Sequence, residues 1–292
     1  YGMSVDHIIF EYDKRFDTDG DFDDNYKVTE KMQKRYDITI NNAKEFLKEC
    51  AKQKVHFHPI GVIQAWSPNS MKRAASELID MGYTYIAIGG LVPLDINSCE
   101  EIVKSVRDEI GYDIKIHLLG FAKAKQLDRF IKYKITSFDS TSPLIRAFKD
   151  EKDNYYTPKD HYTAIRIPSS QKTPALKRKV SSGLVDQEEA EKLEEKALSS
   201  IRAYDKGEET LENTLKALEE YELIFRDRVP IQRYKDILSS KYWQKCQCEV
   251  CQNAKIETII FRNSNRNRRR GFHNLWQFQR ELEELREANN IC

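Results

Sequence analysis

Phe57-His-Pro-Ile-Gly-Val-Ile-Gln64, Tyr83-Thr-Tyr-Ile-Ala-Ile-Gly-Gly90, Ile114-Lys-Ile-His-Leu-Leu-Gly120 and Ile135-Thr-Ser-Phe-Asp139 are four short apolar runs that end in glycine, glutamine or aspartate. Runs of this length bounded by turn residues predict buried strands. Between them the pattern is helical. Ser70–Met81 places Met71, Ala74, Ala75, Leu78 and Ile79 on one face, and Ser98–Glu109 and Ala122–Tyr133 follow the same period. Upstream, Val5–Tyr12 (VDHIIFEY) predicts a first strand. Lys27–Gln53 predicts a helix with Ala43, Phe46, Leu47 and Cys50 on one face. Strands recurring about every 25 to 30 residues with a helix after each are the rhythm of βαβ units and a parallel sheet. A closed barrel and an open doubly wound sheet both fit that rhythm. No glycine-rich phosphate fingerprint follows the first strand, which weakens the dinucleotide-binding form of the open sheet.

Asp13, Gln64, Gly89, Gly90, Gly120 and Asp139 fall at the carboxyl ends of the predicted strands. In (β/α)8 barrels that end carries the active site, although turns select Gly and Asp for their own reasons. From Ser169 the chain becomes loop-like and basic. Asp186–Tyr204 and Glu208–Leu223 then predict a charged helical hairpin, striped by Leu193, Ala197, Ile201 and Tyr204 and by Leu211, Leu215, Leu218 and Tyr221. These changes divide the chain into 1–168, a barrel; 169–224, a helical insertion; and 225–292, a metal-binding segment ending in a helix.

That last segment carries Cys246-Gln-Cys248-Glu-Val-Cys251 and, after 21 intervening residues, His273. Three clustered thiols and one imidazole are the ligand set of a tetrahedral zinc ion with no open position, so a structural Zn2+ is expected. The remaining cysteines, Cys50, Cys99 and Cys292, are scattered, and the set reads as metal arithmetic suited to a reducing cytoplasm rather than as a disulfide framework. Ile256–Phe261 predicts a strand. Arg262, Arg266, Arg268, Arg269 and Arg270 then place five guanidinium groups in nine residues, as a rigid loop suited to phosphate oxygens.

Over the whole 292 residues the charge is only +1, with 40% hydrophobic and 33% charged residues. That composition suits a solvated globular protein and does not by itself announce a polyanion binder. There is no apolar run long enough for a membrane span. His56, His58, His117 and His161 lack acidic partners at metal spacing and are read as structural or surface residues. Trp66 and Trp243 are read as packing residues.

In order along the chain, Gly61-Val-Ile-Gln64, Ile88-Gly-Gly-Leu91, His117-Leu-Leu-Gly120, Ser137-Phe-Asp-Ser140 and the Cys-x-Cys-x-x-Cys…His set resemble the motifs of the tRNA-guanine transglycosylase superfamily. The likeness runs over about residues 1–165 and 225–280, with the hairpin outside it. Phe261–Trp276 is further similar to the DpdA branch, associated with placing 7-deazaguanine bases in DNA. The resemblance implies a (β/α)8 TIM-type barrel and a pentosyltransferase. Asp139 would be the nucleophile, attacking C1′ of a guanosine nucleotide to give a covalent intermediate that a 7-deazaguanine then resolves. It also implies that Asp13, Gln64, Gly89, Gly90 and Leu91 read the base edge, and that Leu119 and Gly120 form a flat wall beside it. Arg146 and the arginine cluster would contact the nucleic-acid backbone.

The implied partners are nucleic acid, DNA ahead of tRNA, and a 7-deazaguanine base. Proteins of a DNA-modification system or a second copy of the chain are further candidates. The sequence departs from the family's pattern at several places. The strand before Asp13 is one residue longer than usual, so Glu11 could take the place of Asp13; His117 stands for a tyrosine, Leu119 stands where methionine is common, and Ser142-Pro143-Leu144 replaces a Pro-Thr-Arg. The family's second aspartate, in an Asp-Ser-Gly loop, has no match. The chain opens at Tyr1 almost directly into a strand-like run, so that aspartate and the first barrel strands are expected upstream. Two other function classes remain. A non-catalytic nucleic-acid-binding module leaves Gln64, Gly89, Gly90 and Asp139 unexplained, and a barrel hydrolase or lyase leaves the arginines unexplained.

Overall fold

The computed structural model describes residues 1–17, 26–121, 124–158, 160–262 and 264–289; Ala122 and Cys292, named above, lie outside these. The chain forms two compact units, Tyr1–Thr141 and Ser142–Cys292.

The first unit alternates strand and helix. β1 (Gly2–Met3), β2 (Pro59–Ile63), β3 (Tyr85–Ile88), β4 (Lys115–Leu118) and β5 (Ser137–Phe138) are separated by α1 (Glu30–Gln53), α2 (Pro68–Asp80), α3 (Ile96–Ile110) and a 3-10 stretch, Ala124–Tyr133. All four strand pairs are parallel, and the spatial order is β1-β2-β3-β4-β5. A doubly wound sheet reverses its order at a switch point. This sheet never does, so it is a run of consecutive barrel strands of the (β/α)8 type.

Capping fixes where the helices start. Thr29 accepts the Met32 N–H, Ser67 and Ser70 form a reciprocal capping box, and Asp95 accepts the Asn97 and Ser98 N–H groups. One sheet face carries Gly61, Ile63, Ile86, Ile88, Ile116 and Leu118, of which the five large side chains are fully buried. A Cβ on Gly61 would lie 2.5 Å from the Leu78 side chain of α2, which identifies this as the helix-covered face.

The first strand is not where the apolar run predicted it. β1 covers only Gly2 and Met3, paired with Pro59 and Ile60, and Val5–Tyr12 is irregular. The run is apolar but does not bury accordingly. Val5, Ile8 and Phe10 are exposed, and only Ile9 is buried.

Arg107, 1% exposed, replaces backbone pairing where the strands enter the sheet. Its guanidinium donates to the carbonyls of Tyr133, Gly111, Ile114 and Lys134.

The second unit opens with α4 (Ser142–Lys149), the short antiparallel pair β6 (Tyr155–Tyr156) and β7 (His161–Tyr162), and β8 (Ile165–Arg166). Next come α5 (Pro174–Ser181), α6 (Gln187–Lys206), α7 (Leu211–Leu223), α8 (Ile231–Ser240), α9 (Tyr242–Lys245) and α10 (Glu249–Ala254). The unit closes with β9 (Ile260–Phe261), parallel to β8, and α11 (Ser264–Ala288). The predicted hairpin is α6 and α7. Its Ala197, Ile201, Leu218 and Tyr221 share one core with Tyr155, Ile165, Trp243, Ile260 and the three clustered cysteines. Among the described residues no helix is long and apolar enough to cross a membrane.

Removing the Arg107 donors strands several buried carbonyls, each costly to leave unpaired. Arg107→Ala is therefore expected to destabilise the protein by about 3 kcal/mol or more, read as a lowered denaturation midpoint in urea. A change within about 0.5 kcal/mol would contradict the role assigned to it.

Candidate active site and metal centre

Pleating decides which strand-end residues can meet. The register matches Val62 with Ala87, Ala87 with His117, and His117 with Ser137. Counting by twos, Ile60, Val62 and Gln64 share a face with Tyr85, Ala87 and Gly89, with His117 and Leu119, and with Ser137 and Asp139. The lower part of this face is apolar: Ile60, Val62, Tyr85 and Ala87 form a cluster onto which Leu119 packs. The carboxyl edge is polar.

Asp139 stands at that edge with its side chain 54% exposed. Its Oδ1 accepts the Gly120 backbone N–H at 2.9 Å and lies 3.2 Å from His117 Nε2. Gly120 can deliver that N–H because it turns through φ +62°, a left-handed conformation suited to glycine. A Cβ there would also come within 2.9 Å of Val92. His117 is almost buried, and its Nδ1 lies 2.5 Å from Ser137 Oγ, which in turn lies 2.6 Å from the Tyr85 hydroxyl. His117 thus has an acidic neighbour, Asp139, that sequence spacing does not show. Its partners stand about 20 residues away, and only the β4–β5 register brings them to it.

On the β2 and β3 ends, Gln64 is 2% exposed. Its Nε2 donates to Asp6 Oδ2 at 2.6 Å, and its Oε1 has no hydrogen-bond partner among the described residues. A buried amide oxygen left without a donor is costly unless a ligand supplies one. Gly89 and Gly90 make the room. A Cβ at Gly89 would sit 2.2 Å from Gln64 Nε2, and Gly90 turns through φ +78° with its virtual Cβ 3.0 Å from Oε1. Leu91 is fully buried.

The carboxylate beside Gln64 is Asp6, not Asp13. Asp13 lies beyond the irregular Val5–Tyr12 segment and is bound by its own neighbour. Arg15 donates to both carboxylate oxygens and holds the carboxyl down to about 2. A strand over Val5–Tyr12 would place Asp6 inside it rather than at its carboxyl end. With β1 at Gly2–Met3, Asp6 becomes the polar residue that follows the strand.

In the second unit Cys246, Cys248, Cys251 and His273 are all buried, with their ligand atoms within 4.8 Å of one another. His273 Nδ1 lies 3.3 Å, 3.4 Å and 3.7 Å from the sulfurs of Cys248, Cys251 and Cys246. Zinc–sulfur bonds of about 2.3 Å and zinc–nitrogen bonds of about 2.0–2.1 Å give tetrahedral S···N edges of about 3.5 Å. The four residues thus fit a zinc ion. The imidazole is also oriented for it: Nε2–H donates to the Tyr156 carbonyl at 2.8 Å, leaving the Nδ1 lone pair toward the thiols. The thiols cannot all ionise alone. Hydrogen bonds from Cys246 and Cys251 drive Cys248 far down, while hydrogen bonds among the thiols push Cys246 up to about 11 and Cys251 further still.

The arginine cluster is not a loop. Arg266, Arg268, Arg269 and Arg270 lie in the first turns of α11, whose phase sorts them. Arg270 points inward with Asn267, His273, Asn274 and Gln277 and is fully buried, donating to the carbonyls of Thr258, Ile260 and Ala147. Burial lowers its guanidinium to about 9. The expectation that Arg270 contacts a nucleic-acid backbone is corrected: it is a core residue. Arg262 pairs with Glu194 and Arg266 with Glu257. Arg268 and Arg269 are exposed, and Arg146, on α4, is 42% exposed beside Asp150.

Comparison with known proteins adds two findings. Residues 20–289 match the family described as queuine tRNA-ribosyltransferase, a match that continues across α6 and α7. A protein of Salmonella montevideo, described as a DNA-guanine transglycosylase, is 39% identical over 280 residues. The alignment covers 94% of this chain, and the chain spans 66% of that relative's length.

The centre generates a direct test. Cys248→Ser is expected to lose bound zinc, counted by a colorimetric chelator assay, and to lower the thermal midpoint of the protein. A variant that keeps one zinc per chain and melts with the wild type would refute the assigned ligand set.

Proposed function

Since the chain belongs to the queuine tRNA-ribosyltransferase family, we propose that it exchanges a guanine base in DNA for a 7-deazaguanine, with Asp139 as nucleophile. The observation that carries the reading is the pairing of two features at one sheet edge. One is a carboxylate held by a backbone N–H; the other is an acidic–amide pair, Asp6 with Gln64, whose amide oxygen awaits a donor.

The chemistry follows from these groups. Asp139 forms a bond from its carboxylate to C1′ as the C1′–N9 bond breaks, through a transition state with positive charge on the sugar. A carboxylate both stabilises that charge and can depart again. The incoming base then bonds through N9 to C1′ and releases Asp139. The proton shed by its N9–H balances the one taken up by the departing guanine. A 7-deazaguanine has carbon where guanine carries the basic N7. Protonation there cannot assist its departure, so exchange runs toward the modified base.

Base choice rests on hydrogen-bond polarity. The guanine edge offers its 2-amino group and N1–H as donors and O6 as an acceptor. Asp6 and the unpartnered Gln64 Oε1, both acceptors, suit the two donors. Adenine reverses the N1 and C6 positions and would leave buried groups unpaired, a costly mismatch. The target nucleotide must leave its stack to present C1′ and this edge together. Arg268 and Arg269, with Arg146, are the proposed phosphate contacts, and Zn2+ the structural ion of the second unit. DNA is favoured as acceptor by the name of the Salmonella montevideo relative. The family description favours a second reading, in which the acceptor is tRNA.

Incorporation of labelled guanine or 7-cyano-7-deazaguanine into DNA and into tRNA, by the full-length protein, separates these readings. DNA labelling that Asp139→Asn abolishes is the expected result. Labelling of tRNA alone would transfer the assignment to RNA, and labelling of neither would overturn it. Asp6→Ala and Gly89→Ala are each expected to raise KM for the free base about 10-fold or more, with Asp13→Ala close to wild type; the reverse order would return the base edge to Asp13. Replacing Arg268 and Arg269 by alanine is expected to reduce the salt slope of DNA binding by about one per side chain, measured by fluorescence anisotropy. An unchanged slope would remove them from the interface.

A further inference from the structure

We propose that His117 is a positioning residue for the base exchange. It ends a directed hydrogen-bond chain, Tyr85–Ser137–His117, which pins Oδ1 of Asp139 and leaves Oδ2 to attack C1′. The inference rests on the reading of Asp139 as nucleophile and deepens it.

Donor and acceptor counting fixes the direction. Nε2 faces a carboxylate oxygen at 3.2 Å, and a carboxylate only accepts, so Nε2 carries hydrogen in either charge state of the ring. In the neutral ring Nδ1 must then accept, and its neighbour at 2.5 Å is the Ser137 hydroxyl. Having donated to Nδ1, Ser137 Oγ still accepts, and the Tyr85 hydroxyl at 2.6 Å donates to it. Each hydroxyl is used once, and nothing in the chain conflicts. The ring is 7% exposed, so water competes little for these bonds.

Among the described residues the two hydrogen bonds to the Asp139 carboxylate, from Gly120 and from His117, both fall on Oδ1. Two donors on one oxygen resist rotation about the Cβ–Cγ bond. The carboxylate therefore presents Oδ2 in one orientation. When the Oδ2–C1′ bond forms and C1′–N9 breaks, Oδ1 becomes the ester carbonyl oxygen. When the incoming base breaks Oδ2–C1′, the returning negative charge meets two N–H donors already in place, and preorganised donors of this kind lower a barrier most where charge develops.

The test pairs kinetics with a spectroscopic readout that needs no turnover. In the full-length protein, His117→Phe is expected to lower kcat for guanine exchange about 10- to 100-fold, with KM for the free base unchanged because Asp6 and Gln64 are untouched. His117→Gln, which keeps an N–H donor, is expected to recover most of that loss. Ser137→Ala breaks the chain one atom further back and serves if His117→Phe does not fold. Nitrogen-15 NMR of the ring at mildly alkaline pH, where an ordinary imidazole is neutral, is expected to place hydrogen on Nε2. Hydrogen on Nδ1, a wild-type kcat in both His117→Phe and Ser137→Ala, or a Gln variant as slow as the Phe variant would each overturn the inference. Absence of exchange by the wild-type protein would instead bring down the functional reading on which it rests.

Discussion

The parallel register of β2 to β5 is the constraint from which the site follows. Val62, Ala87, His117 and Ser137 are successive partners across four strands, so pleating sends Gln64, Gly89, His117, Leu119, Ser137 and Asp139 to one face. A slip of one residue in any pair would turn that strand's contribution toward the helices. The opposite face prevents the slip. Ile63, Ile86, Ile88, Ile116 and Leu118 are all fully buried there, and several such side chains together outweigh any local preference for another register. Apolar packing on one face thus holds polar chemistry in place on the other.

Glycine completes what register begins. Gly120 turns an N–H onto Asp139, and Gly89 and Gly90 clear the volume around the Gln64 amide. The second unit uses other means. Three cysteines and a histidine gather in the core that also contains α6 and α7, and the Tyr156 carbonyl sets the imidazole tautomer. A metal adds folding stability there by closing the 21-residue span before His273.

What could be read from the sequence follows from range of interaction. The four apolar runs revealed β2 to β5 because strand period and turn residues are local, and Cys246, Cys248 and Cys251 are close enough for their spacing to show their chemistry. Asp6 was hidden by a run, VDHIIFEY, whose composition suggests a strand although its side chains stay largely exposed. Arg270 was grouped with its neighbours because composition carries no helical phase. Once α11 is in place, that phase separates buried Arg270 from exposed Arg268 and Arg269. His117 could not be read at all from its own neighbours, since Ser137 and Asp139 reach it across a strand pairing.

The central claim is that Asp139 bonds to the sugar. Incubating the protein with guanine-containing DNA in the absence of an added base, quenching in acid, and mapping peptides by mass spectrometry reads this directly. The account predicts a nucleotide-linked adduct on the peptide bearing Asp139, lost in Asp139→Asn. An adduct on another residue, or base exchange that proceeds with Asp139 replaced, would contradict it.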